Sequence, residues 1–235
     1  MNNFRVIILC AGEGSRWNNY TGVPKHQVVV EGEILVERTV KQFLKYTDDI
    51  VVVYNDESYQ IPGTSSYIAN KQENHKIMDK FLSSQDQWSD TKTIIVFGDV
   101  YFTDEAVEAI VTNDREWCFF LRKGASEITG KSCGEIFGLS FNASFNQTLL
   151  DSINNIVLKQ NFSNPLFPAG WILLGYLLKV ERIEEIFMLK NSYSYVSIDD
   201  WTDDFDYPQD YDSWNNNRKL YFTSKKMIYL NHNEK

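Results

Sequence analysis

Cysteine is scarce in this chain, with only Cys10, Cys118 and Cys133 and no C-x-x-C spacing among them. An odd, scattered set builds neither a disulfide framework nor a thiolate zinc site. With no export signal, the expectation is a reducing cytoplasm, and the Asn-x-Ser/Thr triplets at Asn142, Asn146 and Asn161 then carry no meaning. Histidine is equally sparse, and His26 and His75 form no H-E-x-x-H or paired ligand spacing, so no zinc site is expected. Long apolar runs are missing too. The first apolar stretch lasts only about eight residues before a polar turn, too short to span a bilayer. Positive charge is in deficit, with 23 Lys and Arg against 32 Asp and Glu, a formal net charge of −9. A nucleic-acid surface needs a basic stripe, so that class is disfavoured, while a small anionic substrate requires only a local basic cluster. Repeats and linker-like shifts in composition are absent as well. What remains is one α/β domain: 235 residues, 43% apolar and 14% aromatic, suffice for a full core.

The clearest feature present is the opening, "FRVIILCAGEGSRWNNYTGVPKHQVVV". Residues 6–11 are short and apolar at both alternating sets of positions, as in a strand buried on both faces of a parallel sheet. The glycine-rich turn then lies at a strand's carboxyl end, where open α/β sheets hold ligands. Gly12 and Gly14 let backbone N–H groups approach a polyphosphate, and Ser15 adds a hydroxyl. Arg16 supplies a planar fork and Lys25 a point charge, the latter stiffened by Pro24. The alternative is a plain turn with solvated cations. A dinucleotide fingerprint is disfavoured, because Trp17 occupies the place of its third glycine. "ASEITGKS" resembles a Walker A loop with alanine for its first glycine, but it runs into "CGEIFGLSF", which alternates like a strand where a P-loop would open a helix.

Farther along, "ILVERTVKQFLKY" puts Ile34, Leu35, Val40, Phe43 and Leu44 on one helical face. "DIVVVYN" reads as a second strand, "HKIMDKFLSSQDQW" as a helix and "TKTIIVFGDVYF" as a third buried strand. Such alternation marks a parallel sheet covered on both faces. In the later half, "WCFFLRKG" and "GEIFGLSFN" read as strands and "NQTLLDSINNIV" and "VERIEEIFML" as helices, giving a mixed half. Asp99 follows the break at Gly98, again at a strand's carboxyl end. It suits Mg²⁺, which takes few protein oxygens and prefers phosphate oxygens for the rest. Its alternative role is to cap "DEAVEAIV", although Thr103 or Asp104 serves that better. Seven aspartates lie between Asp199 and Asp212, most of them expected to be solvated or capping.

Together, "LCAGEGSRW…VPKHQVVVEGEILVERTV", "GDVYF" and "DFDYPQDYDSW" resemble the landmarks of the sugar-phosphate nucleotidyltransferase family, spanning residues 6–211. Departures are Cys10 for the usual alanine, Glu33 and Ile34 for Pro-Leu, and Tyr207 and Gln209 in the late segment. The resemblance implies a single GT-A-like, Rossmann-like α/β domain over residues 1–235 with a mixed, mainly parallel central sheet flanked by helices. Residues 1–112 would form an NTP-binding half and 113–235 an acceptor-binding half. It implies Mg²⁺-dependent transfer of NMP, with Mn²⁺ a substitute, from an NTP to a small phosphorylated acceptor such as a sugar phosphate. The shortness of the chain tilts the donor slightly towards CTP, and the oligomeric state is left open.

Carried over by position, Arg16 and Lys25 act on the reacting phosphates. Leu9, Ala11, Gly12, Gly14, Ser15, Gln72, Asn74 and Gly98 bind nucleotide. Asp99 and Asp206 hold the metal, with Asp204 the rival of Asp206. Arg122, Lys131, Gly134, Glu135, Gly170 and Trp171 border the acceptor, the last two in "PAGWILLGYLL", which resembles a strand of the acceptor pocket. Three other readings compete: a GT-A glycosyltransferase, which uses an NDP-sugar and usually a D-x-D where this chain has Gly98-Asp99-Val100; a non-catalytic nucleotide-binding module; and an inactive structural homologue, which would be expected to lose a charged landmark, none of which is plainly missing. Product formation separates them.

Overall fold

The computed structural model describes residues 4–12, 14–55, 59–70, 78–158, 168–180, 182, 184–189 and 193–232. In chain order the elements are β1 (Phe4–Leu9), β2 (Val29–Val30), β3 (Glu33–Ile34), α1 (Leu35–Phe43), β4 (Ile50–Tyr54), β5 (Ser65–Ile68), α2 (Asp79–Leu82), β6 (Lys92–Phe97) and β7 (Val100–Tyr101). They continue with α3 (Asp104–Val111), β8 (Trp117–Arg122), β9 (Glu135–Asn142), α4 (Asn146–Leu158), α5 (Ala169–Leu178), α6 (Glu184–Met188), β10 (Tyr195–Ser197), β11 (Asp203–Asp204) and α7 (Pro208–His232). None of the helices described is long and apolar enough to cross a membrane.

Seven strands form one sheet in the order β10-β8-β9-β6-β1-β4-β5. Neighbours run parallel except at β9, which is antiparallel to both β6 and β8. The result is the mixed, mainly parallel α/β sheet expected from the sequence. Strands β1, β4 and β6 are almost wholly buried, as continuous β-branched runs demand when helices cover both faces. The short edge strand β5, "SSYI", is mostly exposed and pairs through its backbone with β4, so no apolar pattern announces it. The expected helix over "HKIMDKFLSSQDQW" is reduced, among the described residues, to α2 and a 3₁₀ turn at Gln85–Gln87.

One expectation is corrected outright. "AGWILLGYLL" is helix α5, not a strand, and it ends at Lys179 in the left-handed conformation. A ten-residue apolar run is ambiguous by periodicity alone; here four leucines and an alanine favour helix, and Ile172 is the one β-branched residue on the strand side. Gly170 packs against Ile136, and Trp171 is buried with its ring 4.9 Å from that of Phe187.

A second, aromatic core lies beside the sheet: Trp17, Val28, Val30, Leu35, Tyr101, Phe205 and Trp214. Trp17, the residue that disfavours a dinucleotide fingerprint, is buried there and donates its indole N–H to the Val23 carbonyl at 2.9 Å. This core clamps the glycine loop, the β2–β3 hairpin and the start of α7 together. It thereby carries the late acidic segment to the sheet's edge of chemistry.

Strands β1 and β6 approach so closely at their carboxyl ends that only glycine fits at position 98. A Cβ there would stand 2.4 Å from Cys10 Sγ and 3.1 Å from the Leu9 carbonyl oxygen. Gly98→Ala is therefore expected to destabilise the fold by about 1–3 kcal/mol, the usual cost of overpacking. Because the nearest obstacle is the thiol, Cys10→Ala in the same chain should restore part of that loss. Denaturant titration of the single and double variants checks this, and additive losses would refute the contact.

Candidate active site

The register of the sheet builds the site. Leu9 pairs with Phe97 in adjacent parallel strands, so the glycine loop after β1 and Asp99 after β6 leave the same edge side by side. Gly14 takes φ +60, a conformation open to glycine but strained for other residues. Strand β7 then pairs antiparallel with β11, Asp203 opposite Tyr101 and Asp204 opposite Val100, and the Phe205 N–H donates to the Asp99 carbonyl at 3.0 Å. More than a hundred residues of separation are closed by this two-residue ladder. Along the extended segment side chains alternate. Asp203 and Phe205 face the interior, while Asp204 and Asp206 line the cleft.

That cleft measures about 400 Å³. Leu9, Gly12, Gly14, Arg16, Lys25 and Glu135 line it, as do Asp99, Asp204 and Asp206. Ala11, Ser15 and Gly98 adjoin it without lining it, and Gln72 and Asn74 fall outside the described residues. Lys25 is bound to Asp99 and stands 3.1 Å from Asp206 Oδ1. Arg16 reaches the same Asp206 oxygen at 2.9 Å and lies over the Tyr207 ring at 5.2 Å, so the unusual tyrosine of the late segment holds the arginine's flat face. Burial disfavours the charge on Lys25, but Asp99 and Asp206 outweigh it and raise its pKa. Burial likewise opposes the Asp99 carboxylate, and Lys25 wins, holding its pKa low.

Glu135, Asp204 and Asp206 form a third grouping, their ligand oxygens within 4.8 Å of one another. Burial foremost, then repulsion from Glu135, drives Asp204 well above the ordinary carboxylate range against the pull of Lys131. Burial also raises Glu135 despite Lys131. An all-oxygen set whose charges repel at close range suits a hard divalent cation. Asp99 is not in this trio; it shares Lys25 with Asp206. Both Asp204 and its rival Asp206 reach the cleft.

The remaining aspartates of the late cluster have other work. Asp210 accepts from the Asp206 and Tyr207 N–H groups at the start of α7, Asp212 accepts from the Tyr20 hydroxyl, and Asp200 accepts from Thr103 and the Thr202 N–H. Thr103 caps α3 through the Ala106 N–H, which leaves Asp99 free of that role.

The expected acceptor cations are both occupied. Arg122 is buried, its Nη1 2.9 Å from Asp203 Oδ1, and it does not line the cleft. Ser126 and Thr129 donate to the other Asp203 oxygen at 2.5 and 2.8 Å. Lys131 stands 2.5 Å from Asp204, 3.6 Å from Asp210 and 3.7 Å from Glu135. The Walker-like loop thus turns its hydroxyls and its lysine on carboxylates and opens no helix. Gly134, Gly170 and Trp171 do not line the cleft. Several cleft residues escaped the sequence reading, among them Tyr54, Asn55, Tyr59 and Lys80, the last on α2.

The chain matches the family of MobA-like NTP transferase domains over residues 6–128, more than half of its length, and belongs to that family. It is an NTP-utilising transferase of the nucleotidyltransferase class. No curated protein matches it significantly. Among solved structures it is similar to a candidate glucose-1-phosphate thymidylyltransferase from Bacillus anthracis, with 16% identity and a TM-score of 0.55 over 90% of this chain and 94% of that one. It is also similar to the CTP:phosphocholine cytidylyltransferase of Streptococcus pneumoniae, with 16% identity and a TM-score of 0.56 over 92% and 97%. At such identity these two define the shared fold.

Proposed function

We propose that this enzyme transfers a nucleotidyl group from an NTP to a small phosphorylated acceptor, releases pyrophosphate and depends on Mg²⁺. The observation that carries the reading is one cleft in which a glycine loop, Arg16 and Lys25 meet Asp99, Asp204, Asp206 and Glu135. An oxygen of the acceptor phosphate forms a bond to the α-phosphorus as the bond to the bridging oxygen of the leaving pyrophosphate breaks in line. Negative charge grows on the α-phosphate and the leaving group, so positioning and cations supply the catalysis and no protein nucleophile is needed. Gly12, Gly14 and Ser15 cradle the NTP, with Leu9, Ala11 and Gly98 shaping the floor; Arg16 holds the leaving phosphates and Lys25 the reacting ones. Residues 1–112 supply these groups, and residues 113–235 border the acceptor.

Asp204, Asp206 and Glu135 would hold Mg²⁺, with Asp99 beside them. The bound ion would supply positive charge to the phosphates, which otherwise meet four carboxylates. CTP heads the donors we propose, in keeping with the substrate named for the S. pneumoniae protein. A pyrophosphate-release screen of four NTPs against phosphorylated sugars, polyols, amino-alcohols and amino acids tests the reading. Release that requires both an NTP and an acceptor supports it. Turnover of an NDP-sugar, or nucleotide binding without product, would replace it with a glycosyltransferase or a binding module.

A further inference from the structure

Among the described residues, three cations of lysine or arginine line the cleft, and two are neutralised in place: Arg16 by Asp206, and Lys25 by Asp99 and Asp206. Lys80 differs. Its ammonium sits 4.3 Å from the centroid of the Phe97 ring, and among the described residues it has no carboxylate within ion-pair distance. An aromatic face orients a cation, for about 0.5–1 kcal/mol at an exposed site, without cancelling its charge. The side chain is therefore positioned yet still able to attract an anion. It is also exposed, so an incoming ligand can reach it.

Its place in the fold narrows which anion. Phe97 ends β6, the strand between the glycine loop's β1 and Glu135's β9. Asp99 follows the end of that strand and Glu135 begins the neighbouring β9, so Lys80, at the face of Phe97, shares the cleft with both acids. The glycine loop already has Arg16 and Lys25 for a triphosphate. On the β9 side, Arg122 is buried in an ion pair with Asp203 and Lys131 is paired with Asp204, so among the described residues that line the cleft Lys80 is the cation left for an acceptor phosphate. On the nucleotidyltransferase reading, we infer that Lys80 binds the phosphate of the acceptor and positions it for attack.

The test uses the full chain and inorganic phosphate as probe, in the presence of Mg²⁺ and saturating non-hydrolysable CTP analogue, with binding followed by calorimetry. Lys80→Met should weaken phosphate binding on the order of 10-fold while leaving the affinity for the analogue within about two-fold, and Lys80→Arg should retain most of it. Lys41→Met, which removes an exposed lysine paired with Glu33, is the charge control and should change neither. Equal phosphate affinity in wild type and Lys80→Met, or no binding in either, overturns the proposal. Loss of analogue binding instead moves Lys80 to the triphosphate and overturns it equally. With an acceptor found by the screen, Lys80→Met should raise KM for that acceptor and hardly change KM for the NTP. A screen that finds no acceptor sinks the broader reading and leaves the phosphate titration to judge Lys80 alone.

Discussion

Lys25→Ala is expected to lower kcat by on the order of 10²–10³-fold, the scale for losing one preorganised donor to charge that grows in the transition state. The lysine is largely buried between Asp99 and Asp206, which keep it charged against the cost of burial. Removing it leaves two carboxylates facing a site meant for polyphosphate, so the variant loses attraction and gains repulsion together. The same change also exposes a structural role, because a carboxylate stripped of its partner is destabilising. Thermal melts must therefore accompany the kinetics: a large loss of kcat with a modest shift in Tm assigns Lys25 to chemistry, whereas a collapse of the fold assigns it to the scaffold. Lys25→Arg should keep the melt close to wild type but recover only part of the turnover, since a planar fork cannot occupy a point-charge position unchanged. Wild-type turnover in Lys25→Ala would remove the residue from the mechanism.

How far the sequence shows this site depends on how local the signals are. The glycine loop and Asp99 were legible because each closes a buried β-branched run, and parallel neighbours must place their carboxyl ends side by side. Thr103 as a cap was legible because three residues of spacing to an N–H is local geometry. Contacts set by tertiary structure were not. Strands β7 and β11 have two residues each, too few for any period, yet their pairing brings Asp204 and Asp206 to Asp99. Arg122 and Lys131 carry the right charge for a phosphate, and only the fold discloses that Asp203 and Asp204 already hold them. Lys80 stands in no motif, and its meaning comes from Phe97, seventeen positions later in the chain. Trp17 illustrates both halves: its bulk argues against one nucleotide motif at sight, but its burial with Phe205 and Trp214 in a second core has no sequence signature.

Chelation of divalent ions is expected to abolish activity, and Mg²⁺ or Mn²⁺ to restore it, because the acidic trio is otherwise self-repelling. Asp204, the most deeply placed of the three, is driven towards its neutral form by burial and by Glu135. Lys131 offsets only part of that cost, and a cation coordinated by Asp204, Asp206 and Glu135 replaces the remaining repulsion with shared attraction. Asp206→Asn should raise the Mg²⁺ needed for half-maximal activity by at least about 10–100-fold, the range seen when groups around a bound metal are altered. The discriminating comparison is between Asp204→Asn and Asp99→Asn. If the trio is the ligand set, Asp204→Asn matches Asp206→Asn and the double variant adds little, since both changes damage one site. If Asp99 is the partner, Asp99→Asn shows the larger shift and Asp204→Asn the smaller. Mn²⁺ binding followed by electron paramagnetic resonance provides the same ranking without turnover. Normal metal dependence in all three variants would make the late acids a structural brace for Lys25, Lys131 and Arg16, and the phosphates would then be neutralised by Arg16, Lys25 and Lys80 alone.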